Sequence, residues 1–371
     1  MAEINYWYFG IPAASIAVIY IIRRIRVWQW GRISDRYSLE GKTFIVTGAN
    51  TGLGFETTKA LIKRDAIVIM ACRSISRAEE AMKKIQKETS KGRMIPLHLD
   101  LASFESIYDF VQNIKTNYPT FNCLINNAGL AMPDSKKKTD DGIELHFGTN
   151  HIGHFLLTRL LQDRIKTNRA RVVIVSSLLH EKGEINFNTI GKVVEETEAS
   201  SISRTNNPFY NNSKLANFYH ARELFKSGYD AHVLCPGLCH TDFFRDYNPR
   251  WYHYVIFSPI VWLLLRSAEQ GAENIVYCAT ANQNTDEKNP ATGYFVRNLK
   301  QTKSKVKFDD QIGARLWKES EIICSSILVR EERKNERQYQ VRNVHTDRKK
   351  DDFLLDMLRQ CQDAGIGLKM N

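Results

Sequence analysis

The chain has 371 residues, 43% hydrophobic and 25% charged, with a formal net charge of +11. That length and balance exclude a disordered or fibrous chain and leave room for one large α/β domain with a substantial core. The positive charge suits an anionic membrane surface better than nucleic acid, for which no motif is present, and seven scattered Cys without paired spacing exclude a disulfide framework.

Residues 6–22, YWYFGIPAASIAVIYII, run for 17 positions without a charge and are followed by Arg23-Arg24-Ile25-Arg26. This is the short end of a membrane span, with aromatic residues at its start. Glu3 precedes the run and the arginines follow it, the reverse of a cleaved signal peptide. The pattern predicts a retained anchor over residues 1–26, with everything after Arg23 on the cytoplasmic side.

The next segment, KTFIVTGANTGLGFETTKALIKR, reads as a buried strand, a glycine-rich turn and a helix. The same logic repeats: strand 66–70, helix 75–88, strand 93–99, helix 104–115, strand 123–126, helix 142–164, strand 171–175, a helix opening near Tyr210, strand 232–234, helix 268–279 and strand 294–296. Short Val- and Ile-rich runs alternating with helical patterns predict a doubly wound parallel sheet covered on both faces, a Rossmann-type α/β fold. The α/β domain is expected over residues 42–328. Beyond it, the charged segment 329–371 reads as a solvated helix or disordered tail.

Three features carry chemistry. Gly48, Gly52 and Gly54 follow the first strand directly, where glycine admits a sharp turn and close approach of backbone to a pyrophosphate, and the helix N-terminus offers amide donors. The second strand ends in MACRS: Arg73 stands where a carboxylate would grip a ribose hydroxyl, and a guanidinium suits a 2′-phosphate. That points to NADP(H). Tyr210 lies four residues before Lys214, so both share a helix face. Alone, the pair is as compatible with an aromatic ring packed on a Lys stem as with a phenol whose pKa an ammonium lowers for proton transfer. Cys235, Cys239 and His240 form the one Cys/His cluster and are too few for a metal, so none is expected.

The ordered set TGANTGLG, LDLAS, NNAG, GTNHIGHF, VSS, YNNSK and PG resembles the short-chain dehydrogenase/reductases over residues 42–328, and the anchor, ACRS and INFNTI look most like the membrane-anchored retinol dehydrogenases. The resemblance implies a catalytic set of Asn150, Ser177, Tyr210 and Lys214. Tyr210 would exchange a proton with substrate oxygen, Ser177 would hydrogen-bond that oxygen, Lys214 would lower the tyrosine pKa and hold the nicotinamide ribose, and Asn150 would hold a water in the proton path. It also implies a cofactor site from Gly48, Asn50, Gly52, Leu53, Gly54, Arg73, Asp100, Leu101, Asn127, Ala128, Gly129, Tyr210, Lys214, Pro236, Gly237 and Thr241. Ser176 would satisfy backbone groups. The expected substrate is a lipophilic alcohol or carbonyl, with retinol and retinal leading and steroids or other lipids next; a catalytically idle NADP(H)-binding scaffold is the rival of another class. Further expectations are attachment to the endoplasmic reticulum or a lipid droplet, no nucleic-acid partner, and a homodimer as one open assembly.

Two departures stand against this pattern. Ser177 and Tyr210 are separated by 32 residues, longer than is usual in the family, and the tail after Val329 has no recognised counterpart. An uncharged segment, WYHYVIFSPIVWLLL at 251–265, follows the Pro-Gly motif and suits either a greasy entrance facing the bilayer or helical core. Asn211-Asn212-Ser213 is a glycosylation sequon inside the Tyr-Lys segment, which a lumenal location would expose to modification.

Overall fold

A computed structural model describes residues 7–33, 37–130, 137–192, 208–239, 263, 265–280 and 293–333. Thr241, His240, nearly all of the 251–265 segment, most of the insert before Tyr210 and the tail beyond 333 lie outside the described residues. The chain divides into two compact units, Met1–Ile322 and Ile323–Asn371; in the second, the described residues run to 333 and are mostly helical.

The first unit is built on one sheet in the order β3-β2-β1-β4-β5-β6-β7-β8. Its strands are β1 (Thr43–Thr47), β2 (Ile67–Cys72), β3 (Arg93–His98), β4 (Cys123–Asn126), β5 (Arg171–Val175), β6 (Ala231–Leu234), β7 (Tyr294–Arg297) and β8 (Lys300–Lys303). The first seven are parallel, as the alternation of apolar runs and helices predicts. β8 departs from the all-parallel expectation. It pairs antiparallel with β7 through a two-residue turn, Asn298 and Leu299, both at φ 55°. Such a turn matches the strand twist, and KQTK has no apolar pattern to announce a strand. At the other edge β3 admits Pro96, which an edge strand tolerates because one side of its ladder is unpaired.

Both faces of the sheet are buried. Phe44, Val46, Val68, Met70, Ile125, Val173 and Val175 cluster with Leu61 and Ile62 of α2 (Gly52–Ile62), Ala78 and Ile85 of α3 (Ile75–Gln86), and Ile275 and Val276 of α9 (Ala268–Thr280). The alternate residues Ile45, Ile69, Leu124, Val172 and Ile174 are fully buried too, which the period of two turns toward the opposite face. That face is served by α4 (Phe104–Asn117), α6 (Gly153–Leu160) and α8 (Pro208–Lys226). In α4, capped by Ser103 on the Ser106 amide, Ile107, Phe110, Val111 and Ile114 make the buried stripe.

The single helix expected over 142–164 is broken. A short turn, α5 (Leu145–Phe147), is followed by a π-helical turn at Gly148–Ile152, then α6 and α7 (Gln162–Asn168). π turns are rare and concentrate at functional sites, and this one contains Asn150. The sequence also gave no warning of α10 (Asp310–Ile323), which lays Trp317 against Phe155 and His220 and pairs Asp310 with Arg222.

The N-terminal run forms α1 (Trp7–Trp30). No helix among the described residues is long and apolar enough to cross a membrane. Its far end docks: Trp30 is buried, Arg23 donates to the Leu265 carbonyl at 2.8 Å, and Arg23 and Arg266 both lie over the Trp30 ring. Val18, Ile19, Tyr20, Ile21 and Ile22 remain 40–55% exposed.

Candidate active site

The strand order reverses between β1 and β4, and the crevice at their carboxyl ends is where open α/β sheets take ligands. There the chain turns at Gly48, φ 65°, and enters α2 at Gly52, φ 53°. Packing is tight enough to demand glycine: a Cβ on Gly54 would stand 2.1 Å from the Gly48 carbonyl oxygen and 2.7 Å from the Asn127 side-chain nitrogen. Thr51, the residue capping α2, makes no side-chain cap bond, so its hydroxyl does not compete for the amides of the first turn. The floor is β4 and its continuation. Asn127 donates from its backbone to Thr47 Oγ1 at 2.9 Å and from its side chain to Thr47 O at 2.8 Å, and Ala128 N donates to the same Thr47 hydroxyl at 2.9 Å. The buried Asn127 Oδ1 has no partner.

The other expected cofactor residues, apart from Thr241, which lies outside the described residues, line the same end of the sheet. Arg73 follows β2 with its side chain 57% exposed and its Nε 3.9 Å from Asp100 Oδ2. Asp100 accepts from the Ala102 amide at 2.9 Å, and Leu101 is buried beside Gly153. Asn50 and Leu53 belong to the glycine-rich segment, Leu53 packing against the core. Pro236 accepts from Arg266 at 3.1 Å, and Gly237 turns at φ 90° against the same guanidinium. An uncapped helix start, two left-handed glycines and an orphaned buried amide oxygen fit a dinucleotide. The residues that would hold it are the glycine-rich turn, Arg73, Asp100 and the Asn127–Gly129 floor.

Next to that floor four side chains converge. Tyr210 and Lys214 sit one turn apart at the start of α8, and both are buried. Tyr210 is hydrogen-bonded to Ser177, which caps the 3-10 turn Leu178–Lys182 by accepting from Leu179 N. The Lys214 ammonium donates to Val175 O at 3.1 Å and lies 5.7 Å from the Tyr210 ring. Asn150 is locked: its Nδ2 donates to Leu130 O and Ser213 Oγ, each at 3.0 Å, and its Oδ1 accepts from Leu130 N at 2.8 Å. Gly129 completes the group, since a Cβ on it would sit 3.4 Å from both Asn150 Oδ1 and Lys214 Nζ. Ser176 donates to Lys214 O at 2.8 Å, an ordinary backbone partner as expected.

The electrostatics correct one sequence expectation. Lys214 is not what sets the Tyr210 phenol; burial pushes that phenol well above its ordinary value, with the Ser177 hydrogen bond acting weakly the other way. Burial also pushes Lys214 down to about 8. Desolvation disfavours each charged form, while the ammonium stands over the phenol ring and donates to the Val175 carbonyl. Burial therefore favours the protonated phenol. Burial of Asn211 and Ser213 also removes the sequon from the surface.

Sequence reasoning missed four neighbours. Thr47, His154, His180 and Cys235 all pack at the site, and Cys235 is close enough to bear on both Tyr210 and Lys214. Spacing held a signal for the two histidines: one lies four residues after Asn150 and the other three after Ser177.

A half-buried Ser177 beside the buried Tyr210 and Lys214, next to a glycine-rich dinucleotide crevice, is the arrangement of a nicotinamide-dependent oxidoreductase. Residues 42–189 match the short chain dehydrogenase family, and the chain belongs to it. It is 35% identical over 298 residues to human retinol dehydrogenase 13, covering 78% of this chain and 86% of that one. It is 33% identical over 317 residues to human retinol dehydrogenase 14, covering 80% and 90%, and 37% identical over 256 residues to mouse retinol dehydrogenase 11, covering 67% and 76%. Among solved structures, an uncharacterized protein from Mycobacterium paratuberculosis is 28% identical with a TM-score of 0.57, covering 80% of this chain and 98% of that one. A short-chain type dehydrogenase/reductase from Mycobacterium marinum, 18% identical over 67% of this chain and 91% of that one with a TM-score of 0.51, shares the fold.

Proposed function

We propose that this chain interconverts a lipophilic alcohol and its carbonyl, retinol and retinal foremost, with NADP(H), at a membrane held by α1. The observation that carries the chemistry is the hydrogen bond between the buried Tyr210 and the half-buried Ser177 beside Lys214, in a chain similar to several retinol dehydrogenases. The dinucleotide, when bound, supplies or accepts the hydride. The chain supplies the rest. Tyr210, kept protonated by burial, donates to the substrate oxygen as negative charge develops there, and Ser177 offers its hydroxyl to the same oxygen. Lys214, held down to about 8 by burial and so still mostly protonated near neutral pH, is the neighbouring cation over the Tyr210 ring. Asn150, pinned through three bonds, holds the floor in place.

Support for the phosphorylated cofactor is local: β2 ends in Cys72 and continues into the exposed Arg73, with no carboxylate at that turn. Support for the membrane is the row of exposed apolar side chains from Val18 to Ile22, which the domain does not cover. A direct test assays the full-length chain in isolated membranes against retinal, a steroid ketone and a long-chain aldehyde, each with NADPH and NADH. NADPH-dependent reduction of retinal, absent in Tyr210→Phe, is expected. Preference for the steroid, preference for NADH, or no turnover of any carbonyl would overturn the corresponding part of the reading.

A further inference from the structure

Two buried histidines outside the proposed catalytic set make matching pairs of bonds. His154 Nδ1 lies 3.1 Å from the main-chain oxygen of Asn150, and its Nε2 lies 2.9 Å from Thr47 Oγ1. His180 Nδ1 lies 2.6 Å from the main-chain oxygen of Ser177, and its Nε2 lies 2.8 Å from Ser304 Oγ. A carbonyl oxygen can only accept, so Nδ1 carries the proton in both rings, and in a neutral imidazole Nε2 must then accept. Both hydroxyls therefore donate to the rings, and each is oriented from behind. Thr47 Oγ1 accepts the Asn127 and Ala128 amides at 2.9 Å, and Ser304 Oγ accepts the Val306 amide at 3.1 Å. The rival acceptor for the Thr47 proton, Ile125 O, is farther away at 3.3 Å. Burial holds His154 and His180 below their ordinary values, and Lys214 adds to the effect at His154, which keeps the rings neutral as this directed chain requires.

We infer that His154 and His180 are positioning residues that fix the main-chain carbonyls of Asn150 and Ser177, tying the first through Thr47 to the cofactor floor and the second through Ser304 to the turn after β8. Both carbonyls need such help. Asn150 sits in a π turn, where the Gly153 amide bonds back to Gly148 and the regular α ladder is interrupted. Ser177 is an extended residue, φ −150° and ψ 159°, joined to the turn that follows it; its carbonyl takes the His180 amide at 3.1 Å as well as the ring. Rotating either peptide would carry the Asn150 or Ser177 side chain with it, and a small misplacement of such groups costs rate rather than binding. The kinetic consequence rests on the proposed roles of Asn150 and Ser177; the bonding pattern does not.

The full-length chain tests this with paired substitutions. Asn places an amide N–H near the position of Nδ1, whereas Gln reaches toward Nε2 and leaves the carbonyl without its donor. His154→Asn and His180→Asn should keep kcat within about threefold of wild type, while His154→Gln and His180→Gln lower it at least tenfold with cofactor KM nearly unchanged and similar Tm. Equal losses in the Asn and Gln variants, or losses that simply follow Tm, would overturn the inference. Imidazole 15N spectra supply a readout independent of turnover, each ring being assigned by the signal missing in its Gln variant. Nδ1–H tautomers for both rings support the positioning role even if no carbonyl is reduced, in which case the enzyme reading alone fails. An Nε2–H tautomer at either ring excludes the role at that ring whatever the activity.

Discussion

The Lys214 ammonium donates to the Val175 carbonyl at 3.1 Å, which ties the start of α8 to the end of β5 two residues before Ser177. Because burial pushes this group down to about 8, its charge is lost within an accessible range. As pH rises through about 8 the free protein should release the proton, and its affinity for the anionic dinucleotide should fall. Fluorescence titration of NADPH between pH 6.5 and 9.5 checks this: Kd rises above about 8 in the wild type and stays flat, though weaker throughout, in Lys214→Met. A wild-type Kd indifferent to pH would remove Lys214 from the cofactor site.

Tyr210→Phe deletes the phenolic hydroxyl and nothing else from a ring that stays buried. Turnover should drop by more than tenfold with NADPH affinity and Tm little changed, since only the transferable proton and its bond to Ser177 are lost. More than about a tenth of wild-type rate remaining would remove the tyrosine from its role.

Arg73→Asp exchanges a guanidinium for a ribose acceptor at the turn after β2. One charge-assisted hydrogen bond is worth roughly 1.5–3 kcal/mol, so the ratio of NADPH to NADH efficiency should fall by about 10- to 100-fold. An unmoved ratio in steady-state kinetics would mean that another residue reads the phosphate.

Three buried histidines make the fold sensitive to acid. Burial pushes His151 down to about 4, His154 to about 3 and His220 well below its ordinary value. An unfolded chain takes up these protons below about 6.5 while the folded one refuses them, so stability is full above that pH and is lost as pH falls. The slope is about 1.4 kcal/mol per pH unit for each group, roughly 4 for the three together. Urea unfolding at pH 7.5, 6.5 and 5.5 measures it. Both ring nitrogens of His220 lack a partner, so His220→Phe should reduce the slope by about one proton without destabilising the protein at pH 7.5.

Replacing Ile19, Ile21 and Ile22 with Ser changes side chains that are 40–55% exposed, so Tm should barely move. If α1 holds the chain at a bilayer, these changes shift it from the membrane pellet to the supernatant, and further with added salt because the basic Arg23-Arg24-Ile25-Arg26 contact is screened. An unchanged distribution between the fractions would count against α1 as the anchor.

Local rules determined much of this molecule in advance. Val- and Ile-rich runs alternating with amphipathic helices specify a parallel sheet, because each run can be buried only between two helical layers; β4 and β5 came out at their predicted bounds. The glycines at 48, 52 and 54 announced a turn into a helix, and the four-residue spacing of Tyr210 and Lys214 put both on one face of α8. What spacing could not carry was anything decided by packing across the chain. The polar strand β8 exists because β7 presents an edge and the turn between them has the right twist. The helix at 142–164 breaks into a π turn where Asn150 must meet Leu130 and Ser213, and no local propensity encodes those partners. The protonation of the phenol ran opposite to the sequence argument for the same reason: four residues of separation bring an ammonium near a ring, but only the depth of burial sets which charge the site will tolerate. His154 and His180 became legible only when Thr47 and Ser304, 107 and 124 residues away in the chain, were folded against them.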